Sequence, residues 1–240
     1  LMKNSNLEII RQIRDKKVDN QNGEKLSLSR VSSWFLYQSE GYALNDPKRI
    51  DDYFNRKKKI QRDELLFPTK YQNDDDLAKV ITTDVIVYGL NPSSRGINQN
   101  YSDWANFHDN DGKTRDRAFL FERYNNDCLN GCYMSDLFKG FSEDSSKITV
   151  KQFMDGLEQS KTSKYKTKEY LQVLNFEINL IKPKKIVLFG NKVQDCFERL
   201  CEQNKIEFPN EDICIINRAH PSGTSCTFKE RADSNEICKK

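Results

Sequence analysis

DVIVYGLNPSSRG (Asp84–Gly96) drives a short apolar stretch straight into Gly89-Leu90-Asn91-Pro92-Ser93-Ser94. Four to eight apolar, β-branched or aromatic residues closed by Gly and Pro read as a buried strand that ends in a loop. Three further runs have the same form: GCYMSDLF (131–138), KKIVLFG (184–190) and DICIIN (212–217). Between the second and third, TSKYKTKEYLQVLNFEINLIKP (162–183) sets Leu171, Leu174, Ile178 and Ile181 on one helical face and stops at Pro183. After the third, Asn191 is placed to cap a helix whose Val193, Cys196, Phe197 and Leu200 face inward. Strands alternating with helices predict an α/β fold, a three-layer αβα sandwich around a mostly parallel four-stranded sheet. In such sheets ligands bind beyond the carboxyl ends of the strands, where these polar and glycine-bearing endings fall.

Outward from this region, residues 1–80 read as a helical, basic N-terminal extension and 81–240 as the α/β domain. NLEIIRQIRDKK (6–17) spaces Leu7, Ile10 and Ile13 at helical intervals, and SLSRVSSWFLYQ (27–38) adds Val31, Trp34, Phe35 and Tyr37. PKRIDDYFNRKKKIQRDELLF (47–67) opens on a first-turn proline and holds Arg56-Lys57-Lys58-Lys59. That run is a solvated face or a phosphate-contacting patch. YQNDDDLAK (71–79) reads as a loop or a short acidic helix start. With 39 Lys and Arg against 36 Asp and Glu, net charge alone selects no partner. No run reaches the roughly 18 apolar residues of a membrane span, and LMKNSNLEII (1–10) has no signal-peptide core. Leu1 ahead of Met2 is set aside as an added residue. Seven cysteines without paired C-x-x-C knuckles, and only two histidines (His108 and His220), argue against a structural zinc. Reduced cysteines in a cytoplasmic protein are the expectation.

Gly89-Leu90-Asn91-Pro92-Ser93 after the first run and His220-Pro221-Ser222-Gly223 after the last resemble the two signature motifs of the uracil-DNA glycosylase superfamily. The first is similar to the G-[I/L/M]-N-P-G form of its mismatch-specific and single-strand-selective branches, the second to the [H/N]-P-S-[P/G] loop. Between them CYMSDLFKG (132–140) resembles the strand Y-[I/V]-T-N-x-x-K, and KKIVLFGNKVQDCF (184–197) the strand and helix that follow it. The resemblance spans Asp84 to Phe228 and leaves the first 80 residues outside.

It implies an N-glycosidic hydrolase that acts on a base flipped out of DNA and held in a closed pocket. Such a reaction places positive charge on the sugar and negative charge on the departing base. His220 is the implied donor to a pyrimidine O2, a role in which one donor can be worth about 3 kcal/mol; a hydrogen-bonded loop histidine is the plainer reading. Asn91 would orient the water without taking its proton, because an amide is no base at neutral pH, and so turnover is expected to be modest. Its alternative is a local Asx turn. Gly89 and Leu90 would bring main chain to the base, and Trp104, thirteen residues after Asn91, would stack on it; Phe107 is the other ring on offer, and either ring could belong to the core. Ser93, Ser94, Ser222, Gly223 and Lys229 suit phosphate contacts, which position the strand without reading its sequence.

Two departures stand out. Asp136 occupies the place of an asparagine that both donates to and accepts from the base edge. An ionised carboxylate only accepts, which suits an exocyclic amine on the base; burial that protonates it, or a purely structural role, is the alternative. Thr224 stands where a leucine wedge fills the hole left by the flipped base. Single-stranded or mismatched DNA is therefore the expected partner of a monomer that needs no metal, cluster or other cofactor. A catalytically silent nucleic-acid-binding protein and a nucleoside or nucleotide hydrolase are the competing readings. The basic stretches Arg56–Lys59 and Lys161–Lys168 would form the track for the strand.

Overall fold

The computed structural model describes residues 5–20, 22–38, 66–92, 102–108, 119, 122–123, 126–140, 144–158, 165–220 and 236–239. In chain order these residues form α1 (Asn6–Asp15), β1 (Lys17–Asp19), β2 (Lys25–Ser27), β3 (Ser33–Trp34), α2 (Asp74–Ala78), β4 (Val85–Gly89) and β5 (Tyr133–Asp136). There follow α3 (Val150–Glu158), α4 (Thr167–Ile181), β6 (Lys185–Phe189), α5 (Asn191–Glu202), β7 (Cys214–Arg218) and α6 (Glu236–Lys239). The four apolar runs read from the sequence are β4, β5, β6 and β7. They pair in parallel within a sheet of order β3-β5-β4-β6-β7.

The sheet has five strands rather than the expected four, because β3 adds to its edge antiparallel to β5. Its residues lie in SLSRVSSWFLYQ, whose apolar spacing suggests a helix. Tertiary pairing overrides that spacing: Ser33 registers with Met134, Trp34 with Tyr133, and Phe35 N–H donates to the Cys132 carbonyl at 2.8 Å. The Trp34 and Tyr133 rings meet edge to face at 5.2 Å, a cross-strand aromatic pair of the kind that fixes register. Only a 3-10 turn, Leu28–Arg30, remains of the helix expected here.

Alternation along the strands divides the interior in two. Ile86, Tyr88, Tyr133, Ile186 and Leu188 face one side and pack with residues of α1, α3, α4 and α5, among them Ile9, Phe153, Leu174 and Phe197. Val85, Val87, Met134, Val187, Phe189 and Ile216 face the other side, with Phe35, Phe119 and Ile237 of α6. Both faces of the sheet are thus covered over β4, β5 and β6, while the edge strand β7 leaves Ile215 and Asn217 exposed on one side.

The helix ends follow local chemistry. Ser5 caps α1 by accepting from Glu8 N–H at 3.2 Å. At the far end of α4, Lys182 turns left-handed (φ 53°) one residue before Pro183. Gly190, not Asn191, is the N-cap of α5; its φ of 99° lies where only glycine is at ease, and Asn191 becomes the first helical residue.

The expectation of reduced cysteines is corrected at one pair. Cys128, in the 3-10 turn Asp127–Leu129, and Cys238 of α6 form a disulfide across 110 positions. Docking of α6, with Lys185 Nζ donating to the carbonyls of Ile237 and Cys238, brings the two together, and no sequence spacing reveals that. Among the described residues no helix is long and apolar enough to cross a membrane.

Candidate active site

Four parallel strands finish on one edge of the sheet, and their last residues are the ones the motifs supply. β4 ends at Gly89, β5 at Asp136, β6 runs into Gly190, and β7 leads two residues on to His220. Gly89 registers directly with Asp136, so their α-carbons are neighbours across β4 and β5. Pairing continues past both strands: Leu137 N–H donates to the Gly89 carbonyl at 3.0 Å and Phe138 N–H to the Leu90 carbonyl at 2.9 Å. Those two bonds hold Leu90 buried and fix the course of the chain into Asn91.

Asp136 is buried, and its carboxyl lies in the space that a side chain at 89 would occupy. A Cβ on residue 89 would collide with Asp136 Oδ1 and come within 3.3 Å of Phe107 Cε1. Glycine here serves close approach. The other carboxyl oxygen, Oδ2, accepts from Asn106 Nδ2 at 2.9 Å, and that same nitrogen donates to the Val31 carbonyl at 2.9 Å. Burial pushes the Asp136 pKa up to about 7, against the Asn106 bond and the Lys139 charge, which favour the ionised form; the Glu177 charge adds to the rise.

Residues 102–108 form the wall beside Asp136, and the N-terminal segment pins them. Trp104 N–H donates to the Ser29 carbonyl at 2.7 Å, Ser33 Oγ to the Trp104 carbonyl at 2.7 Å, and Ser29 Oγ to Asp103 Oδ1 at 2.5 Å. Arg14 of α1 pairs with Asp103 and Asp74 and lies over the Trp104 ring at 5.1 Å. Trp104 and Phe107 both hold left-handed backbone (φ 65° and 67°), a conformation that costs a bulky residue energy and persists only when its surroundings impose it. The expected base-stacking role of Trp104 does not fit its place: it is fully buried against Trp34, with ring centroids 5.9 Å apart. Phe107 is the half-exposed ring beside Gly89 and Asp136. His108 turns away to Ser33 Oγ at 2.8 Å and is buried against Tyr37 and Phe67.

At the other half of the edge, Gly190 N–H and Gln194 Nε2 both donate to the Arg218 carbonyl, at 2.9 and 2.8 Å, which holds the end of β7 against α5. His220 sits over Gly190, whose missing Cβ would lie 3.4 Å from the His220 Cβ. Its ring meets Phe119 edge to face at 5.5 Å, and Phe119 meets Phe107 at 5.6 Å. A ring bridge, Phe107–Phe119–His220, thereby joins the two halves. β6 separates β4 from β7, so the chain exits toward Asn91 and His220 stand about 10 Å apart, two strand spacings. Asn91 is half-buried, and its Nδ2 donates to the Pro92 carbonyl at 3.1 Å, a local bond of opposite sense to an Asx turn, in which Oδ1 would accept from a main-chain N–H. Ser93, Ser94, Ser222, Gly223, Thr224 and Lys229 lie outside the described residues, as do Arg56–Lys59 and the first half of Lys161–Lys168, residues 161–164; Lys166 of the latter stretch pairs with Asp19 at 3.2 Å.

Directly beneath the site is a polar cluster that the sequence reading misses. Ser135, the neighbour of Asp136, points to the opposite face and donates to Glu177 Oε1 at 2.7 Å. Lys139 Nζ bonds Glu177 Oε2 at 2.6 Å and Ser135 Oγ at 2.5 Å, while the Tyr133 and Tyr88 hydroxyls donate to Glu177 at 3.0 and 3.1 Å. All five side chains are fully buried. Burial lowers the Lys139 pKa against the raising pull of Glu177, and raises those of both tyrosines. Two signals were legible in advance: Lys139 closes the middle motif, and Glu177 is a carboxylate on the apolar face of α4. No family model matches the chain, and no curated protein does.

Proposed function

We propose that the chain is a DNA N-glycosidase with a uracil-DNA glycosylase-like fold, hydrolysing the bond between deoxyribose and a flipped-out uracil-like, damaged or modified base. One observation carries this reading: the strand ends bearing Gly89-Leu90-Asn91, Asp136, Gly190 and His220 share one carboxyl edge of a parallel sheet, joined by the Phe107–Phe119–His220 rings. That edge is where α/β sheets bind ligands. In this reading the base lies over Phe107 with its edge toward Asp136, and His220 donates to the base oxygen on which charge collects. Asn91 orients the attacking water, giving up its bond to Pro92 to do so. Leaving-group stabilisation, rather than an activated nucleophile, therefore supplies most of the rate.

The test is an abasic-site assay over oligonucleotides carrying uracil, hypoxanthine and modified cytosines, single-stranded and mismatched, with Asn91→Ala and His220→Ala beside the wild type. Base release that falls at least a hundredfold in His220→Ala supports the proposal; release untouched by either substitution contradicts it. A second reading, a nucleic-acid-binding protein that no longer cleaves, draws on the Asn91–Pro92 bond and on the buried Phe119 ring between the two halves. Salt-sensitive DNA binding without base release from any substrate would favour it.

A further inference from the structure

Asn106 has two amide hydrogens, and the structure commits both. Nδ2 donates to the Val31 carbonyl and to Asp136 Oδ2, each at 2.9 Å. A main-chain carbonyl can only accept, so the bond to Val31 fixes which end of the Asn106 amide faces Asp136. Asp136 Oδ2 is consequently an acceptor in every protonation state of the carboxyl. Because a carboxyl's carbonyl oxygen is a better acceptor than its hydroxyl oxygen, the Asn106 bond favours a proton on Oδ1, the oxygen lying over Gly89 beside the Phe107 ring. Strand register makes the arrangement stiff, since Gly89 and Asp136 are paired residues of β4 and β5.

We infer that Asn106 and Asp136 form a proton-gated reader, in which Asn106 directs the Asp136 proton to Oδ1 so that the site offers a hydrogen-bond donor to a carbonyl oxygen of the bound base; this rests on the glycosidase reading above. Asp136 then does with one acidic proton what an amide does with an N–H, and it does so only while neutral. Asn106 touches no substrate and is a positioning residue. The device extends beyond the motif-bearing region, because Val31 belongs to the N-terminal segment and holds Asn106 in place.

The charged groups around Asp136 are Lys139, three residues on, and Glu177 of α4; Asn106 and Phe107 face it from residues 102–108, and Gly89 from β4. His108 is turned to Ser33, and Arg14 to Asp74 and Asp103. With the carboxyl poised at about pH 7, the donor is present below that pH and lost above it as Oδ1 ionises. Ionised Asp136 repels a base carbonyl and favours an amine.

The experiment measures the pH dependence of base release from single-stranded oligonucleotides carrying uracil, hypoxanthine or 5-methylcytosine, in wild type and Asp136→Asn. Expected are release of uracil and hypoxanthine, which carry a carbonyl where 5-methylcytosine carries an exocyclic amine, a rate falling about tenfold per pH unit above about pH 7 in wild type, and no such fall in Asp136→Asn, whose amide donates at every pH. A second readout needs no activity: the carbon-13 carboxyl signal lost in Asp136→Asn should titrate near neutrality in wild type, and at higher pH in Asn106→Leu, which removes a bond favouring the ionised form. An identical alkaline fall in both proteins, fastest release of 5-methylcytosine, or a carboxyl signal that does not titrate between pH 5 and 8 overturns the inference alone. Absence of release from every oligonucleotide at every pH overturns the glycosidase reading, and the reader's part in it.

Discussion

Replacing Lys139 with Met tests whether the polar cluster beneath the site is a paired charge network or incidental polarity. Lys139 Nζ lies 2.6 Å from Glu177 Oε2 with both side chains wholly buried, and it also bonds Ser135 and sits 5.1 Å from the Tyr88 ring centroid. Methionine matches the length and most of the volume of lysine, so the perturbation is mainly the loss of charge. Glu177 would keep its three hydroxyl donors, from Tyr88, Tyr133 and Ser135, but not its countercharge. Removing one partner of a buried pair costs about 3–5 kcal/mol, because the other charge is left uncompensated. In a chain of this size that corresponds to a drop in Tm of roughly 6–20 °C. Adding Glu177→Gln removes the stranded charge while its amide oxygen still accepts from the Tyr133 and Ser135 hydroxyls and its amide nitrogen faces the Tyr88 oxygen as a donor, and the double variant should recover more than half of the loss. Urea denaturation of wild type, both single variants and the double variant gives the coupling directly. A Lys139→Met cost below about 1 kcal/mol, or strict additivity in the cycle, would refute the reasoning.

The remaining predictions concern the site edge and the C-terminal clasp. Between about pH 4 and 7 the folded chain keeps a proton on Asp136 that the unfolded chain has released, so this group's contribution is complete below pH 4 and declines by about 1.4 kcal/mol per unit until the carboxyl ionises near 7. Asp136→Asn should flatten that part of the stability–pH curve in urea titrations, and an unchanged slope would show that Asp136 is not buried as described. Gly190→Ala should cost about 1–3 kcal/mol, since φ of 99° with ψ of 147° is a region essentially reserved for glycine; a smaller cost would mean that the β6–α5 turn relaxes freely. Cys238→Ser should lower stability by about 2–4 kcal/mol through release of the 110-residue link to Cys128, and denatured, unreduced wild type should show two fewer reactive thiols than the reduced protein. Equal thiol counts would exclude the bond.

Much of the fold was legible because its strands obey a strong rule. A strand buried on both faces reads as a nearly continuous apolar run, and β4 and β6 stand out on that ground; β5 is buried throughout yet ends in Ser135-Asp136, and the edge strand β7, which buries Ile216 and exposes Ile215 and Asn217, is marked by its short apolar start. β3 was not legible: two residues carry no periodicity, and what makes Ser33-Trp34 a strand is the free edge of β5 more than 90 positions away. Of the candidate site, the close approach at Gly89 and the strand-end places of Asn91 and His220 were legible, whereas the demand for glycine at 190 was not, because Asn191 was read as the cap. Trp104 was misread because an offset along the chain does not say which side of a loop a ring takes; Arg14, Ser29 and Ser33 decide that, and all three lie in the segment outside the resemblance. Asn106 gave no signal, since its role exists only through Val31 and Asp136.

The central claim is that the Asn91 and His220 loops bind one nucleotide between them. Hydrogen exchange with and without a single-stranded oligonucleotide containing 2′-fluoro-2′-deoxyuridine, whose glycosidic bond resists cleavage, tests it most directly. The account predicts concurrent protection of peptides covering Gly89–Pro92 and Arg218–His220, saturating at the same oligonucleotide concentration. Protection of one of these segments without the other, or of neither while the oligonucleotide binds, would contradict it.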